Sequence, residues 1–517
     1  MIKFCLNGRW VEEADISPNM TVLRYLRTQQ SLTGTKEGCG SGDCGACSIL
    51  LGEKVDVLKE GGGVDAGKWH YKAINGCITF LSQLHGKSVI TVDALADGQQ
   101  LHPAQQAMVD YHGSQCGFCT PGIIMSLAAL HQNVDGEPSQ HQILDALSGN
   151  LCRCTGYRPI IDAAKNMHSY PATGNVEIWQ PEELVSKPVE HAGVEAETRT
   201  RFRAMKKGQA WVVDDETQLQ ELLSEHPDAR MVAGATDLAL EVTQFHKSIN
   251  KLVSIGSIPS LKTIDVQGDF ITIGSAATYA EIEPTLKTHY PEFAALLDRL
   301  GSRQVRNNGT LGGNIGNASP IGDTPPVLIA LGAEIELVSK NTHRWLSLDK
   351  FFLDYKQTAL QSCEYIRAIR IPRLKENQAL KVYKISKRIE DDISAVLAAF
   401  VFTIDDNKVT DVRSGFGGMA AIPKAACKLE KALLGQTISE SAFINAANEL
   451  SKDFTPLTDV RATADYRINV AKGLIHKCAV ELLNPELVSR IEQVHTSELA
   501  TSDIINQTSL TGEFYHA

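Results

Sequence analysis

The spacing of apolar and polar positions changes period several times along the chain, and each change marks a different kind of segment. At the start, Phe4-Cys5-Leu6 and Trp10-Val11 flank Asn7-Gly8, which predicts a β-hairpin closed by a type I′ turn. Residues 22–29 place Leu23 and Leu26 on one helical face. A loop dense in glycine and cysteine follows, with a strand predicted at 48–51, and residues 59–68 (KEGGGVDAGK) read as an exposed loop insertion. From about 93 to 170 the period is helical, in pieces at 103–111, 121–131, 143–147 and 159–167. Residues 171–200 have little periodicity, carry Pro171, Pro181 and Pro188, and read as a linker.

Beyond the linker, strands predicted at 231–233, 251–254, 270–273 and 334–338 alternate with helices at 238–245, 293–300 and 326–331. A further segment has strands at 381–385, 395–404 and 408–414, then a helix at 424–434. The tail is polar and expected to be mobile. The pattern predicts a multidomain α+β chain with segments 1–92, 93–170, linker 171–200, 201–378, 379–490 and tail 491–517.

Composition adds exclusions. A chain of 517 residues is too long for one hydrophobic core, so three or four domains are expected. A net charge of −11 argues against nucleic acid or anionic membrane as a partner. The opening MIKFCLNGRW has no apolar signal-like run, and no later stretch reaches the length of a membrane span, so the reading is a soluble, cytoplasmic protein.

The cysteines carry the chemistry. Of twelve, eight fall at Cys39, Cys44, Cys47, Cys77, Cys116, Cys119, Cys152 and Cys154; Cys5, Cys363, Cys427 and Cys478 stand alone and read as small buried hydrophobes. The first set is C-x4-C-x2-C, 29 residues, then Cys77, the spacing of a plant-type ferredoxin. Thiolates must converge on a small anionic cluster, so the loop has to wrap tightly. Gly38, Gly40, Gly42 and Gly45 permit positive φ and close backbone approach. A zinc site or a redox CxxC pair competes, but zinc usually takes two paired arms and a redox pair needs no further cysteines. The second set is Cys116-x2-Cys119, 32 residues, then Cys152-x-Cys154. Pro121 and Pro159 open the helices after each pair, which would aim two positive helix ends at one anionic cluster. By spacing alone zinc stays a rival here.

The strings TGTKEGCGSGDCGAC (33–47), GSQCGFCTPG (113–122) and GNLCRCTGYRPI (149–160) resemble the two iron–sulfur domains of the xanthine dehydrogenase family of molybdenum hydroxylases. The resemblance implies a ferredoxin-type β-grasp domain over 1–92 and a helical [2Fe–2S] bundle over 93–170, each holding one cluster on its four cysteines. It also implies that the helical domain's cluster lies beside the molybdopterin, with Gln115 and Cys154 at positions that touch the pterin.

A search for G-x-G-x-x-G finds Gly40, Gly42 and Gly45 inside the cysteine loop, and Gly415, Gly417 and Ala420 with no βαβ unit around them, so no Rossmann fingerprint stands. Two other stretches suit a phosphate-bearing ligand. MVAGATDL (231–238) puts an apolar strand before a Gly/Thr turn and a helix start, and GTLGGNIGNASPIGD (309–323) holds five glycines among Asn and Ser. Two ordinary glycine-rich turns would look the same. Both stretches resemble the family's FAD domain, which is not a Rossmann fold. That likeness implies FAD contacts at Met231, Val232, Ala233, Gly234, Ala235, Thr236, Asp237 and Leu238, at Thr310, Leu311, Gly312, Gly313 and Asn314, and at Asp323, Ile366 and Lys384. Leu300 falls where relatives often place a phenylalanine near the isoalloxazine. KRIEDDISAV (387–396) resembles a loop beside the flavin, and FGGMA (416–420) fits the family's C-terminal α/β flavoprotein domain. The likeness covers about 1–170 and 205–485.

The implied function is that of the family's electron-transfer subunit. Electrons from xanthine or hypoxanthine oxidation to urate, at a partner's molybdenum, would pass through two [2Fe–2S] clusters to FAD and on to NAD. The molybdenum domain would need several hundred more residues, so a large molybdenum-binding partner in a two-plus-two heterotetramer is expected. No catalytic side chain is named in this chain. The competing readings are the same role in a hydroxylase of aldehydes or other N-heterocycles, a stand-alone NADH-linked reductase, and a non-catalytic interaction protein.

Overall fold

The computed structural model describes residues 1–14, 17–58, 64–172, 176–181, 208–389, 391–487 and 489, and everything below concerns these. The hairpin forms as its sequence dictates. Asn7 (φ 51°) and Gly8 (φ 80°) both take the left-handed conformation that a type I′ turn requires, pairing Leu6 with Arg9 across the strands Ile2–Leu6 and Arg9–Glu13. Ile2–Leu6 also pairs in parallel with Ser88–Ile90. The result is a five-stranded sheet in the order Arg9–Glu13, Ile2–Leu6, Ser88–Ile90, Ser48–Leu58, Val64–Asn75. The helix Val22–Thr28 covers one face. Thr21 caps it by accepting from the Arg24 N–H (3.3 Å), and Val22, Leu23, Tyr25 and Leu26 are buried. The expected loop at 59–68 is shorter than its composition suggested, because strand Val64–Asn75 takes in 64–68; residues 59–63 lie outside the described residues.

Four helices follow, Pro103–Asp110, Thr120–Asn133, Gln140–Leu147 and Arg158–Asn166, each within a few residues of its predicted bounds. Their apolar faces share one core with the sheet: Leu50, Trp69, Tyr71 and Ile90 pack with Met108, Ile123, Leu127 and Ile160. The start of the expected linker belongs to that core as well. A turn at Val176–Trp179 buries Ile178 and Trp179, and the Trp179 ring meets Tyr71 edge-on at 5.2 Å. An indole is too large an apolar surface to leave in water when such a face is within reach. Residues 182–200 lie outside the described residues.

Among the described residues the third segment contains two larger sheets and a two-stranded hairpin, Phe352–Asp354 with Gln357–Thr358. Gln209–Val212, Lys251–Ser254 and Arg230–Val232 form a parallel sheet in that order. An antiparallel sheet runs His343–Ser347, Glu334–Val338, Tyr365–Pro372, Phe270–Gly274, Ile264–Gln267. Its central strand, Tyr365–Pro372, was not among the predicted strands. The fourth segment is an antiparallel meander, Gln378–Ile385, Val396–Asp405 and Lys408–Gly417, followed by helices that include the 20-residue Ala464–Leu483, which was also not predicted. Helix Thr324–Leu331 joins the two segments. Leu328 and Leu331 share a core with Ile335 and Ile369 on one side and with Leu380, Leu397 and Val401 on the other. Of the solitary cysteines, Cys5 and Cys478 are buried as expected and Cys363 is half-buried. Cys427 is exposed, because it opens the surface helix Cys427–Leu433. Among the described residues no helix is long and apolar enough to cross a membrane.

Candidate functional site

The first cysteine loop is shaped by its glycines and by the turn that carries Cys77. Gly40, Gly42 and Gly45 have φ of 68°, 87° and 66°. Gly38 is not left-handed as expected; it is needed for space, since a Cβ there would lie 2.7 Å from the Cys44 sulfur. Backbone N–H groups already point at sulfur: Cys39 N–H donates to Cys44 Sγ and Ser41 N–H to Cys39 Sγ, both at 3.3 Å. Asn75 ties the two parts together by donating to the Gly42 carbonyl (2.8 Å) beside Cys77 in the turn Gly76–Ile78. The Cys44 and Cys77 thiols hydrogen-bond to Cys39 and hold it well below the usual thiol range, while Cys44 and Cys77 are pushed up by the same contacts. Cys77 also meets Cys47.

The second set assembles the same way. Cys116 lies against Cys154, and Cys119 against Cys152. Burial, then the Cys152 contact, pushes Cys119 up to about 12. Burial pushes Cys152 up too, but hydrogen bonds from the Thr155 hydroxyl and backbone outweigh it and leave Cys152 lowered. Helix Thr120–Asn133 begins directly after the first pair and Arg158–Asn166 four residues after Cys154, each with proline in its first turn. The Tyr157 hydroxyl accepts from the Cys152 N–H (2.9 Å). Cys116, Cys154 and Gln115 are exposed, with Phe118, Leu151 and Tyr157 exposed around them. Among the described residues no three or more His, Cys, Asp or Glu side chains are arranged about a single metal ion. In the first set Cys39 contacts both Cys44 and Cys77, and Cys77 also contacts Cys47, whereas the second set meets as Cys116 with Cys154 and Cys119 with Cys152. A [2Fe–2S] rhomb takes two thiolates on each of two irons, whereas zinc draws four ligands to one point. Four thiols brought together in each set supply the ligands that the cluster needs. The loops also touch each other, as Leu151 N–H, one residue before Cys152, donates to the Cys44 carbonyl (3.1 Å).

A cavity of about 610 Å³ opens between the third and fourth segments. Met231, Val232, Ala233, Gly234, Ala235, Thr236, Asp237 and Leu238 line it, with Thr310, Gly312, Gly313, Asn314, Asp323, Ile366 and Lys384. Leu311 does not line it, because its side chain is in the core and its N–H is spent on the Ala277 carbonyl (3.3 Å). Ala235 takes φ 65° in the turn after strand Arg230–Val232, and the N–H groups of residues 234–237 have no protein acceptor among the described residues. Successive free N–H groups at a left-handed bend form an anion cradle, which suits a diphosphate. A Cβ on Gly234 would lie 2.0 Å from the Asn308 carbonyl oxygen, so the two cavity turns close against each other only with glycine there.

Two expected contacts are engaged with each other. Lys384 Nζ pairs with Asp323 at 2.7 Å and donates to the Arg299 carbonyl (2.7 Å), and Ser394 donates to the other Asp323 oxygen (2.5 Å). Arg299 straps the 387–396 loop by donating to the Ile389 carbonyl and the Ser386 hydroxyl. Leu300 lines the cavity, presenting an aliphatic wall. Residues that the sequence did not single out complete the picture. Asp43, inside the first cysteine loop, lines this cavity, as does Asp391 of the 387–396 stretch that the sequence places beside the flavin. Gln83 donates to the Ala233 carbonyl (2.8 Å), Asn308 to the Gly234 carbonyl (2.9 Å) and Thr79 (3.2 Å), and Gln244 to the Cys39 carbonyl (3.0 Å). These bonds fix the first cysteine loop to the cavity. They join residues far apart in the chain, so no local pattern signals them.

Comparison with known proteins matches this arrangement. The family profile of the [2Fe-2S] binding domain covers residues 91–165, that of the FAD binding domain in molybdopterin dehydrogenase covers 205–374, and that of the CO dehydrogenase flavoprotein C-terminal domain covers 381–482. The chain is 31% identical to a xanthine dehydrogenase from Emericella nidulans over 99% of its own length and 40% of that protein. It is 31% identical to the xanthine dehydrogenase/oxidase of Rattus norvegicus over 87% of its length and 36% of that protein. It thus spans about two-fifths of the curated relatives it matches. A solved carbon monoxide dehydrogenase structure from Hydrogenophaga pseudoflava, lacking the Mo-pyranopterin moiety of its cofactor, matches with a TM-score of 0.50 and 26% identity over 52% of this chain and 95% of that one.

Proposed function

Because the chain belongs to the xanthine dehydrogenase/molybdenum hydroxylase family, as an iron–sulfur and flavin-binding member, we propose that it carries electrons from a molybdenum-bearing partner to NAD during xanthine or hypoxanthine oxidation. The observation that carries this reading is one of placement. Two sets of four converging thiols lie in loops that touch through Leu151 and Cys44, and the first of them borders, through Asp43, the cavity built from residues 231–238 and 310–314.

In this reading Cys39, Cys44, Cys47 and Cys77 hold one [2Fe–2S] cluster, and Cys116, Cys119, Cys152 and Cys154 hold the other. Bound there, the clusters supply one-electron steps and FAD the exchange between one- and two-electron transfer. The protein's own work is positional. The N–H groups of Cys39 and Ser41 donate toward sulfur and favour the more negative state. The cradle at 234–237 receives the diphosphate of FAD, with Met231, Val232, Ala233 and Leu238 beside it, and Thr310, Gly312, Gly313 and Asn314 on the facing turn. The Lys384–Asp323 pair fixes one wall and Leu300 another, and these residues would help to hold the flavin. The exposed apolar residues Phe118, Leu151 and Tyr157 around Cys116 and Cys154 suit contact with a large molybdenum-binding partner, in a two-plus-two assembly. Eight thiols kept for iron fit a reducing, cytoplasmic setting.

The test compares two activities. The chain alone, loaded with its cofactors, is expected to oxidise NADH with ferricyanide and to leave xanthine untouched; with the partner, xanthine should reduce NAD. Cys152→Ser should abolish the second activity and spare most of the first. The flavin segment's likeness to a carbon monoxide dehydrogenase chain makes other substrates the second reading, so the complex is also assayed with aldehydes and N-heterocycles. Turnover of these without turnover of xanthine would replace the purine assignment. Xanthine oxidation by the chain alone would overturn the division of labour.

A further inference from the structure

Between the flavin cavity and the two cysteine loops lies a buried polar junction that no cofactor contact explains. Its centre is Gln304, 1% exposed, on the short helix Arg303–Arg306. Its side-chain amide donates to the Ser126 hydroxyl (2.8 Å), the Ala146 carbonyl (2.9 Å) and Asn150 Oδ1 (3.0 Å). Asn150, 3% exposed and two residues before Cys152, donates in turn to the carbonyl of Gly45 (3.1 Å), which sits between Cys44 and Cys47. The backbones meet here without room for a methyl group. A Cβ on Gly45 would lie 2.3 Å from the Gly149 carbonyl, one on Gly122 2.1 Å from the Gly45 carbonyl, and one on Gly149 2.4 Å from Gln304 Oε1. That Oε1 is buried without a hydrogen-bond partner, so the carboxamide is held in place by its donor side alone. The same short helix is pinned to the helical segment by the Arg306–Asp145 ion pair and by Arg303 N–H on Ser148 (3.0 Å). Four residues after Gln304, Asn308 closes on the Gly234 turn of the cavity.

We infer that Gln304 is a positioning residue of the electron relay: a side chain from the flavin segment that, through Asn150, sets the distance and orientation between the two cysteine loops. A buried amide whose two N–H groups are shared among three acceptors fixes a geometry far more sharply than apolar packing does, and leaving it unmatched is costly, so such networks specify one arrangement. No single domain contains the junction. The loops of the first and second sets contribute Gly45 and Asn150, and the flavin segment supplies the side chain that locks them. Docking of the flavin segment and mutual placement of the loops are thereby one event.

This inference rests on the assignment of the eight cysteines to two [2Fe–2S] clusters, and the experiment separates the two claims. Gln304→Met keeps length and bulk and removes every donor. The variant is purified with its partner, its iron and FAD are counted, and the spin–spin splitting between the two reduced clusters is read by low-temperature EPR, together with each cluster's own signal. The expected result is full iron and FAD, two cluster signals of unchanged shape, and loss of the splitting. Ser126→Ala, which removes one of the three bonds, should weaken the splitting to a smaller extent and serves if Gln304→Met does not fold. A splitting equal to that of the parent in either folded variant would overturn the positioning role. Absence of two cluster signals in the parent protein would instead overturn the cysteine assignment on which it rests.

Discussion

Burial and the charge of Asp43 push the Asp391 carboxyl up to about 6 from an ordinary 3.8, against the pull of Arg388, Lys384 and Arg306. A carboxyl raised in the fold binds its proton more readily there than in the unfolded chain. It therefore weakens the fold above about 6, and the penalty fades as pH falls toward about 4. Asp391→Asn is expected to raise the melting temperature near neutral pH and to leave it unchanged near pH 4. Parallel thermal melts check this, and a pH-independent difference would contradict it. At Gly234 the constraint is steric. A methyl there would meet the Asn308 carbonyl oxygen at 2.0 Å, and the two cavity turns would have to part. Overpacking of this kind costs ~1–3 kcal/mol, which as binding is about ten- to a hundredfold. Gly234→Ala should lower FAD affinity by that order in a flavin titration; unchanged affinity would move the diphosphate elsewhere. The string MVAGATDL made this turn legible because a strand, a glycine and a helix start follow one another within eight residues. Asn308, its steric partner, was not legible, since nothing local distinguishes it from Asn307.

Elements whose signal is local came through the sequence well. Asn7-Gly8 forced its turn, and the four helices between 103 and 166 were placed within a few residues because their punctuation, from Pro103 to Pro159, is in the chain itself. Residues 64–68 were misread because Gly67 and the charges around it look like a loop, whereas pairing with Ser48–Leu58 extends the strand. Helix Ala464–Leu483 escaped because its buried face includes Arg467 and Glu481 among Ala471, Leu474, Ile475, Cys478 and Ala479, which blurs the apolar period. Both charges are paired, Arg467 with Asp459 and Glu481 with Lys381 (3.1 Å). Arg467 bonds the Ala395 and Gly418 carbonyls and Asp459, and Glu481 bonds Tyr383 and Ser489. Strand Lys408–Gly417 meets helix Thr324–Leu331 so closely that a Cβ on Gly415 would lie 1.9 Å from the Pro326 carbonyl oxygen. Gly415→Ala should cost ~1–3 kcal/mol, read as a lower urea midpoint. The same midpoint as the parent would mean that the helix can withdraw without loss.

For the molecule as a whole, two of the hydrophobic cores cross the segments read from the sequence. Trp69, Tyr71 and Trp179 share one core with the helical segment, and Leu380, Leu397 and Val401 share another with the flavin segment. That the cysteines of each set converge was legible because they come from tight loops, so their spacing survives in the chain as C-x4-C-x2-C, C-x2-C and C-x-C. What aligns one set with the other, and both with the cavity, was not legible, because Gln304, Asn150, Gly45, Gln83 and Asp43 come from four separate stretches and meet only in the fold. The account stands on those eight thiols being gathered for iron. The most direct measurement is the iron, acid-labile sulfide, zinc and FAD content of the purified protein. The expected result is about four irons and about four sulfides per chain, two clusters' worth, with one FAD. Stoichiometric zinc with little sulfide would contradict it.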